Sequence, residues 1–102
     1  MAFELKWSEE AIEDIESIAS YIQKDSPNYA NVVVSKIFEK AELLKNFSKI
    51  GRVVPEINDE NTREIFVYSY RLIYKIKDDV ILFLAVIHGK RLLENHIKDI
   101  DE

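Results

Sequence analysis

Tyr70-Arg71-Leu72-Ile73-Tyr74-Lys75-Ile76-Lys77-Asp78-Asp79-Val80-Ile81-Leu82-Phe83-Leu84-Ala85-Val86-Ile87-His88 is the stretch that decides the fold. Two runs rich in β-branched and aromatic residues flank a pair of aspartates, the pattern of two strands joined by a tight turn. With Asp78-Asp79 as a two-residue turn, Lys77 faces Val80. Counting back then puts Arg71 opposite Val86, with His88 its diagonal neighbour on the same face. One face carries Tyr70, Leu72, Tyr74, Ile76, Ile81, Phe83, Ala85 and Ile87, apolar enough to receive helices. The other carries Arg71, Ile73, Lys75, Leu82, Leu84, Val86 and His88. Its apolar strip, Leu82, Leu84 and Val86, has no evident cover in the rest of the sequence, so it is expected to meet a partner.

Upstream, Thr62–Tyr68 is a third run of strand character, ended by Ser69, so the three runs predict an antiparallel meander. The stretch before it, 48–61, contains Gly51, Pro55, Asn58 and Asp59 and reads as an irregular connection with at most a turn of structure. Earlier still lie two amphipathic helices. In the first, Ala11, Ile12, Ile15, Ile18, Ala19 and Ile22 recur at three- and four-residue spacing, Ser8 is placed as N-cap, and Glu9 and Glu10 fill the first turn. The second is expected from about Pro27 to Phe47, with Ala30, Val33, Val34, Ile37, Phe38, Ala41 and Leu44 on one face. A capping residue followed by Pro27 marks its start. Phe3, Leu5 and Trp7 alternate with polar residues as a short first strand. The expected fold is α+β: strand, antiparallel helix hairpin, three-stranded meander, with both helices on one face of the sheet. Residues 92–102, with Leu92, Leu93, Ile97 and Ile100 at helical spacing, are expected to form a short tail or partner-dependent helix.

At 102 residues, 47% of them apolar and only four Gly or Pro, the chain reads as a single domain. No run is long and apolar enough for a bilayer, and the start lacks a signal-peptide pattern, which points to the cytoplasm and away from a membrane. The absence of Cys rules out disulfides and thiolate chemistry. The net charge of −5 speaks against a nucleic-acid binder, yet the charge is unevenly placed. Residues 1–60 hold seven Lys/Arg against twelve Asp/Glu, residues 61–91 six against three, and residues 92–102 one against four. A basic segment thus lies between two acidic ones.

That segment holds the candidate site: Arg71, His88, Lys90 and Arg91, with Tyr68, Lys75 and His96 as neighbours. Arg71, Lys75, Lys90 and Arg91 suit a phosphate or another anionic target. In metal-free RNA cleavage, His88 or His96 would act as base or acid, while Arg71 and Arg91 would stabilise the charged phosphorane. The bland alternatives are a solvated sheet face for Arg71 and Lys75, a hydrogen-bonded structural role for His88, and simple exposure for His96. No phosphate loop, dinucleotide fingerprint, zinc motif or nucleophile elbow is present, so no cofactor and no metal is expected.

Five segments in order give the sequence a family likeness: Trp-Ser-Glu-Glu-Ala at 7–11, Gly-Arg-Val-Val-Pro-Glu at 51–56, Arg-Glu-Ile at 63–65, Tyr-Arg-Leu-Ile-Tyr at 70–74, and Val-Ile-His-Gly-Lys-Arg at 86–91. Together they resemble the RelE/ParE superfamily of bacterial type II toxin–antitoxin systems over about Phe3 to Arg91. The resemblance implies a growth-inhibiting toxin neutralised by a cognate antitoxin, whose extended or helical segment would land on Leu82, Leu84 and Val86. RelE-like members cut messenger RNA on the ribosome, and ParE-like members poison DNA gyrase. Arg71 and Arg91 match arginines of the nucleases, but Ile97 stands where the nuclease pattern has a functional Tyr. His88-Gly89-Lys90-Arg91 looks more like the ParE branch. A gyrase poison is therefore the favoured expectation, with a ribosome-dependent mRNA endonuclease and an inactive or regulatory member as alternatives.

Overall fold

The computed structural model of the protein describes residues 2–89. Its elements are β1 (Glu4–Trp7), α1 (Glu9–Gln23), α2 (Pro27–Leu43), β2 (Arg52–Val53), β3 (Thr62–Val67), β4 (Tyr70–Lys77) and β5 (Val80–His88). The α+β architecture is the one expected. Both helix starts follow from their caps: the Ser8 side chain accepts from the Ala11 N–H at 3.0 Å, and that of Ser26 from the Tyr29 N–H at 3.1 Å. The α1 stripe buries Ala11, Ile15 and Ile22, and the α2 stripe buries Ala30, Val33, Ile37 and Ala41. Helix α2 stops at Leu43, short of the expected Phe47. There the Leu44 N–H turns back to the Ala41 carbonyl, and the Lys45 carbonyl accepts from the Phe3 N–H at 3.1 Å. The chain is thereby drawn off the helix axis towards β1.

The meander is the centre of a larger sheet, ordered β1-β5-β4-β3-β2. β1 runs parallel to β5, pairing Glu4 with Val80 through to Trp7 with Phe83. At the other edge the expected irregular connection holds a two-residue strand: β2 pairs Arg52 with Glu64 and Val53 with Arg63. Both helices lie on one side of this sheet, and their buried stripes join Leu72, Tyr74, Ile81, Phe83 and Val86 in the main core. Phe83 is central. The Trp7 ring stacks on it at 4.1 Å and the Tyr74 ring lies tilted at 6.4 Å, so truncation to Ala would cost about 3–5 kcal/mol.

The hairpin register departs from simple counting. Lys77 faces Val80, as expected, and pairing continues to Tyr74 opposite Phe83. The next pair is Ile73 with Ala85, so Leu84 is an extra residue in β5, a β-bulge. The cause lies in α1. Beyond Trp7, β5 has no strand partner on that side, and its backbone groups are taken instead by the helix start. The Phe83 carbonyl accepts from the Ser8 N–H, the Leu84 carbonyl from the Ser8 hydroxyl, and the Asp14 carboxylate accepts the Val86 N–H at 2.9 Å.

The bulge reverses the expected faces beyond it. Val86 lies on the helix side and is 2% exposed, while Ala85 and Ile87 move to the opposite side with Ile73. Arg71 sits opposite Ile87, and His88 sits opposite Tyr70. That opposite side is also not bare, contrary to expectation. Val54 and Ile57, from the connection after β2, pack over Ile73, Ala85 and Ile87 as a second small core.

Candidate functional site

The side of the sheet away from the helices is built around a buried ionic cluster. Arg71 is 4% exposed and Glu64 1% exposed, and both lie on the face that carries Ile73 and the second small core. Arg71 Nε donates to Glu64 Oε1 at 2.6 Å, and its two terminal nitrogens donate to Glu56 at 2.9 and 2.8 Å. The second Glu64 oxygen accepts from Arg52 Nε, and the Arg52 guanidinium lies 5.2 Å from the centre of the Phe66 ring. Hydrogen bonding to Glu56, joined by Glu64, holds the Arg71 guanidinium above its ordinary pKa, with burial opposing. Two cations and two carboxylates therefore form one satisfied network. Removing one partner of such a network is far more damaging than exchanging the whole for apolar groups.

The predicted site residues divide between two sides of the sheet. Arg71 and half-buried Lys75 lie on the side away from the helices, Lys75 opposite Thr62 and Leu82. His88 is exposed on the other side, its ring edge-on to that of Tyr70 at 5.8 Å. The imidazole and the guanidinium are therefore not brought together. The strip Leu82, Leu84 and Val86 is likewise split: Leu82 and Leu84 are half-buried on the outer side, and Val86 is core. Lys90, Arg91 and His96, with Ile97 and the rest of the tail, lie outside the described residues.

Sequence reasoning missed the two carboxylates. Glu64 sits in a strand of otherwise β-favouring residues, where alternation alone reads it as solvent-facing, and Glu56 lies in the supposed irregular connection. It also missed a cleft of about 410 Å³ at the end of the sheet, lined by Tyr21, Asp25, Tyr29, Tyr68, Tyr70 and His88 among others. Tyr68 adopts a left-handed backbone (φ 55°) at the β3–β4 turn, uncommon for a bulky residue, and its ring lies 6.2 Å from that of Tyr29. Burial, with Tyr29 and Tyr21 close by, pushes the Tyr70 hydroxyl upward in pKa. Among the described residues no three His, Asp or Glu side chains converge as metal ligands, and no helix is long and apolar enough to cross a membrane.

Residues 5–93 match the family model described as the ParE toxin of the type II toxin–antitoxin system parDE. The chain belongs to the ParE toxin family. This ParE-family toxin also shares its fold with solved structures of the wider RelE/ParE superfamily. The chromosomal ParDE system from P. aeruginosa is similar with a TM-score of 0.72 and 21% identity, over 87% of this chain and 98% of that one. The E. coli toxin RelE, a double arginine-to-alanine mutant in the free state, is similar at 0.64 and 20% identity, over 88% and 86%. The toxin–antitoxin complex RelBE2 from Mycobacterium tuberculosis is similar at 0.55 and 21% identity, over 86% and 99%. No curated protein matches the sequence.

Proposed function

We propose that this ParE-family toxin arrests growth in the cytoplasm without nuclease chemistry, by trapping DNA gyrase, and that a cognate antitoxin neutralises it. One observation carries the reading: Arg71, the residue that would clamp a phosphate, is buried against Glu56 and Glu64. A phosphodiester at that point would meet two carboxylates that repel it and would have to break the cluster to reach the guanidinium. His88, the described candidate for acid–base work, stands across the sheet from it. In this reading Lys75, Lys90 and Arg91 contact the target rather than a scissile phosphate. Half-buried Leu82 and Leu84 remain as apolar contacts for the antitoxin, the kind of partner present in the similar ParDE system and RelBE2 toxin–antitoxin complex.

The test is a side-by-side assay of the purified protein. Gyrase-dependent DNA breaks together with intact ribosome-bound message are expected. Cut message with gyrase unaffected would reverse the reading in favour of an endonuclease. Expression of the chain alone should stop growth, and absence of arrest would favour an inactive or regulatory member.

A further inference from the structure

The tyrosine-lined cleft at the end of the sheet has no part in the reading above. Tyr21 comes from the last turn of α1, Tyr29 from the first turn of α2, and Tyr68 and Tyr70 from the β3–β4 turn, so three separate parts of the chain bring four phenols to one place. Tyr68 is the informative one. Val67 pairs with Tyr70, which leaves Tyr68-Ser69 as a two-residue turn. Such a turn favours Gly, Asn or Asp at positive φ, and a bulky ring at φ 55° is strained there. Tyr68 is 51% exposed, so burial does not offset the strain. The strained turn sets its ring 6.2 Å from that of Tyr29, at the rim of the cleft.

The charges at the cleft are one-sided. Among the described residues that line it, Asp25 brings a carboxylate and no Lys or Arg is present. Asp25 forms no ion pair with a described residue, and the four tyrosine hydroxyls form no hydrogen bond with one. Lys24 lines the surface on the other side of Tyr21 with Glu13 and Glu16, and Lys36, close to Tyr68, is held by Glu39 at 2.9 Å. The end of α1 and the start of α2 meet here with opposed dipoles that largely cancel, so Asp25 decides the sign. We propose that this cleft binds the guanidinium of an arginine side chain presented by a protein partner, stacked on a tyrosine ring and hydrogen-bonded at its edge to Asp25. A guanidinium is planar, so its face suits an aromatic ring and its edge donates in a fork that matches a carboxylate. The Tyr21, Tyr29 and Tyr70 phenols, close enough to influence one another, supply further acceptors. A phosphate would meet the Asp25 charge and the negative ring faces, and both repel it. Because the rings of Tyr21, Tyr29 and Tyr68 are about half exposed or more, the cleft receives a side chain from a partner's surface and does not enclose a free small molecule. The site is independent of which target the toxin takes.

The experiment titrates the full chain with N-acetyl-arginine methylamide, followed by NMR of the tyrosine rings and the Asp25 amide. The neutral citrulline isostere, tetramethylammonium and methylguanidinium are the controls. Saturable shifts at the cleft are expected, with the arginine probe bound at least about 5-fold more tightly than the citrulline one. Asp25→Asn should weaken the arginine probe about 5-fold and leave the citrulline probe unchanged. Tyr68→Asn separates the ring from the fold. Asn suits the left-handed turn, so Tm should match or exceed the parent's, while the arginine probe binds at least about 3-fold more weakly. Equal binding of the citrulline probe, or no saturable shift up to roughly 100 mM, overturns the proposal. Tetramethylammonium or methylguanidinium bound more tightly than the arginine probe gives the site to a free cation and overturns it too. So does a Tyr68→Asn variant that loses stability yet binds as the parent does, because the ring is then structural. If Tyr68→Asn does not fold, Asp25→Asn decides alone.

Discussion

Gly51 has no room for a side chain. A Cβ built there would lie 2.5 Å from the Glu64 carbonyl oxygen and 2.7 Å from the Tyr74 hydroxyl, and the first of these is backbone that cannot move aside. Gly51→Ala should therefore lower stability by about 1–3 kcal/mol in urea denaturation. The Tyr74 hydroxyl that crowds Gly51 also organises it, accepting from the Gly51 N–H at 3.1 Å and donating to the Ser48 carbonyl at 2.8 Å. Burial raises the pKa of this phenol above its unfolded value of about 10. The sign follows: its contribution to stability is fully present below the unfolded pKa and is lost as pH rises through the folded one. Tyr74→Phe should cost about 1–3 kcal/mol at neutral pH, by leaving the Gly51 N–H without its acceptor. It should also flatten part of the alkaline decline in stability. Tyr70 shifts in the same direction, so the difference between parent and variant from pH 8 to 11 isolates Tyr74.

Among the elements, the start of α1 holds more than its own helix. Ser8 caps α1 and donates to the Leu84 carbonyl in the bulge, whereas Ser26 caps α2 at an exposed turn with no second contact in β5. Ser8→Ala should cost about 1–2 kcal/mol and Ser26→Ala about half of that, compared by thermal denaturation. Both caps were legible in the sequence, because capping is a local rule read from a few neighbouring residues. The helix stripes and the three long strands were legible for the same reason. The bulge was not: its supports, Ser8 to Leu84 and Asp14 to Val86, join residues 76 and 72 positions apart. Counting from the Asp78-Asp79 turn is valid only while the ladder is regular. β2 escaped notice because two residues give no periodicity. In the candidate site the cation Arg71 was legible by type, but its burial was set by Glu64, which strand alternation assigns to solvent, and by Glu56, which lies in a connection without periodicity.

For the whole molecule, Arg71 separates structural from catalytic roles. Arg71→Ala should cost about 3–5 kcal/mol, since it takes the guanidinium away from Glu56 and from one oxygen of buried Glu64. The double variant Arg71→Met, Glu64→Met should recover much of that stability and, for a toxin without nuclease chemistry, still arrest growth. A stable double variant that lost toxicity would instead mark Arg71 as a working contact. For the basic pair Lys90 and Arg91 the expectation concerns activity: replacing both with Ala should weaken growth arrest at least about 10-fold, read by colony counts after induced expression. The bulge at Leu84 bears on both experiments. One inserted residue acts on a β-ladder as one inserted nucleotide acts on a reading frame, exchanging inside for outside from that point on. By this offset the strand delivers His88 to the tyrosine-lined end on the helix side instead of to the arginine cluster. Two chains of this family with closely similar residues, differing only in whether that offset is present, would offer different chemistry at the same edge, so alignments that slide a gap freely through this strand would misassign its functional side chains.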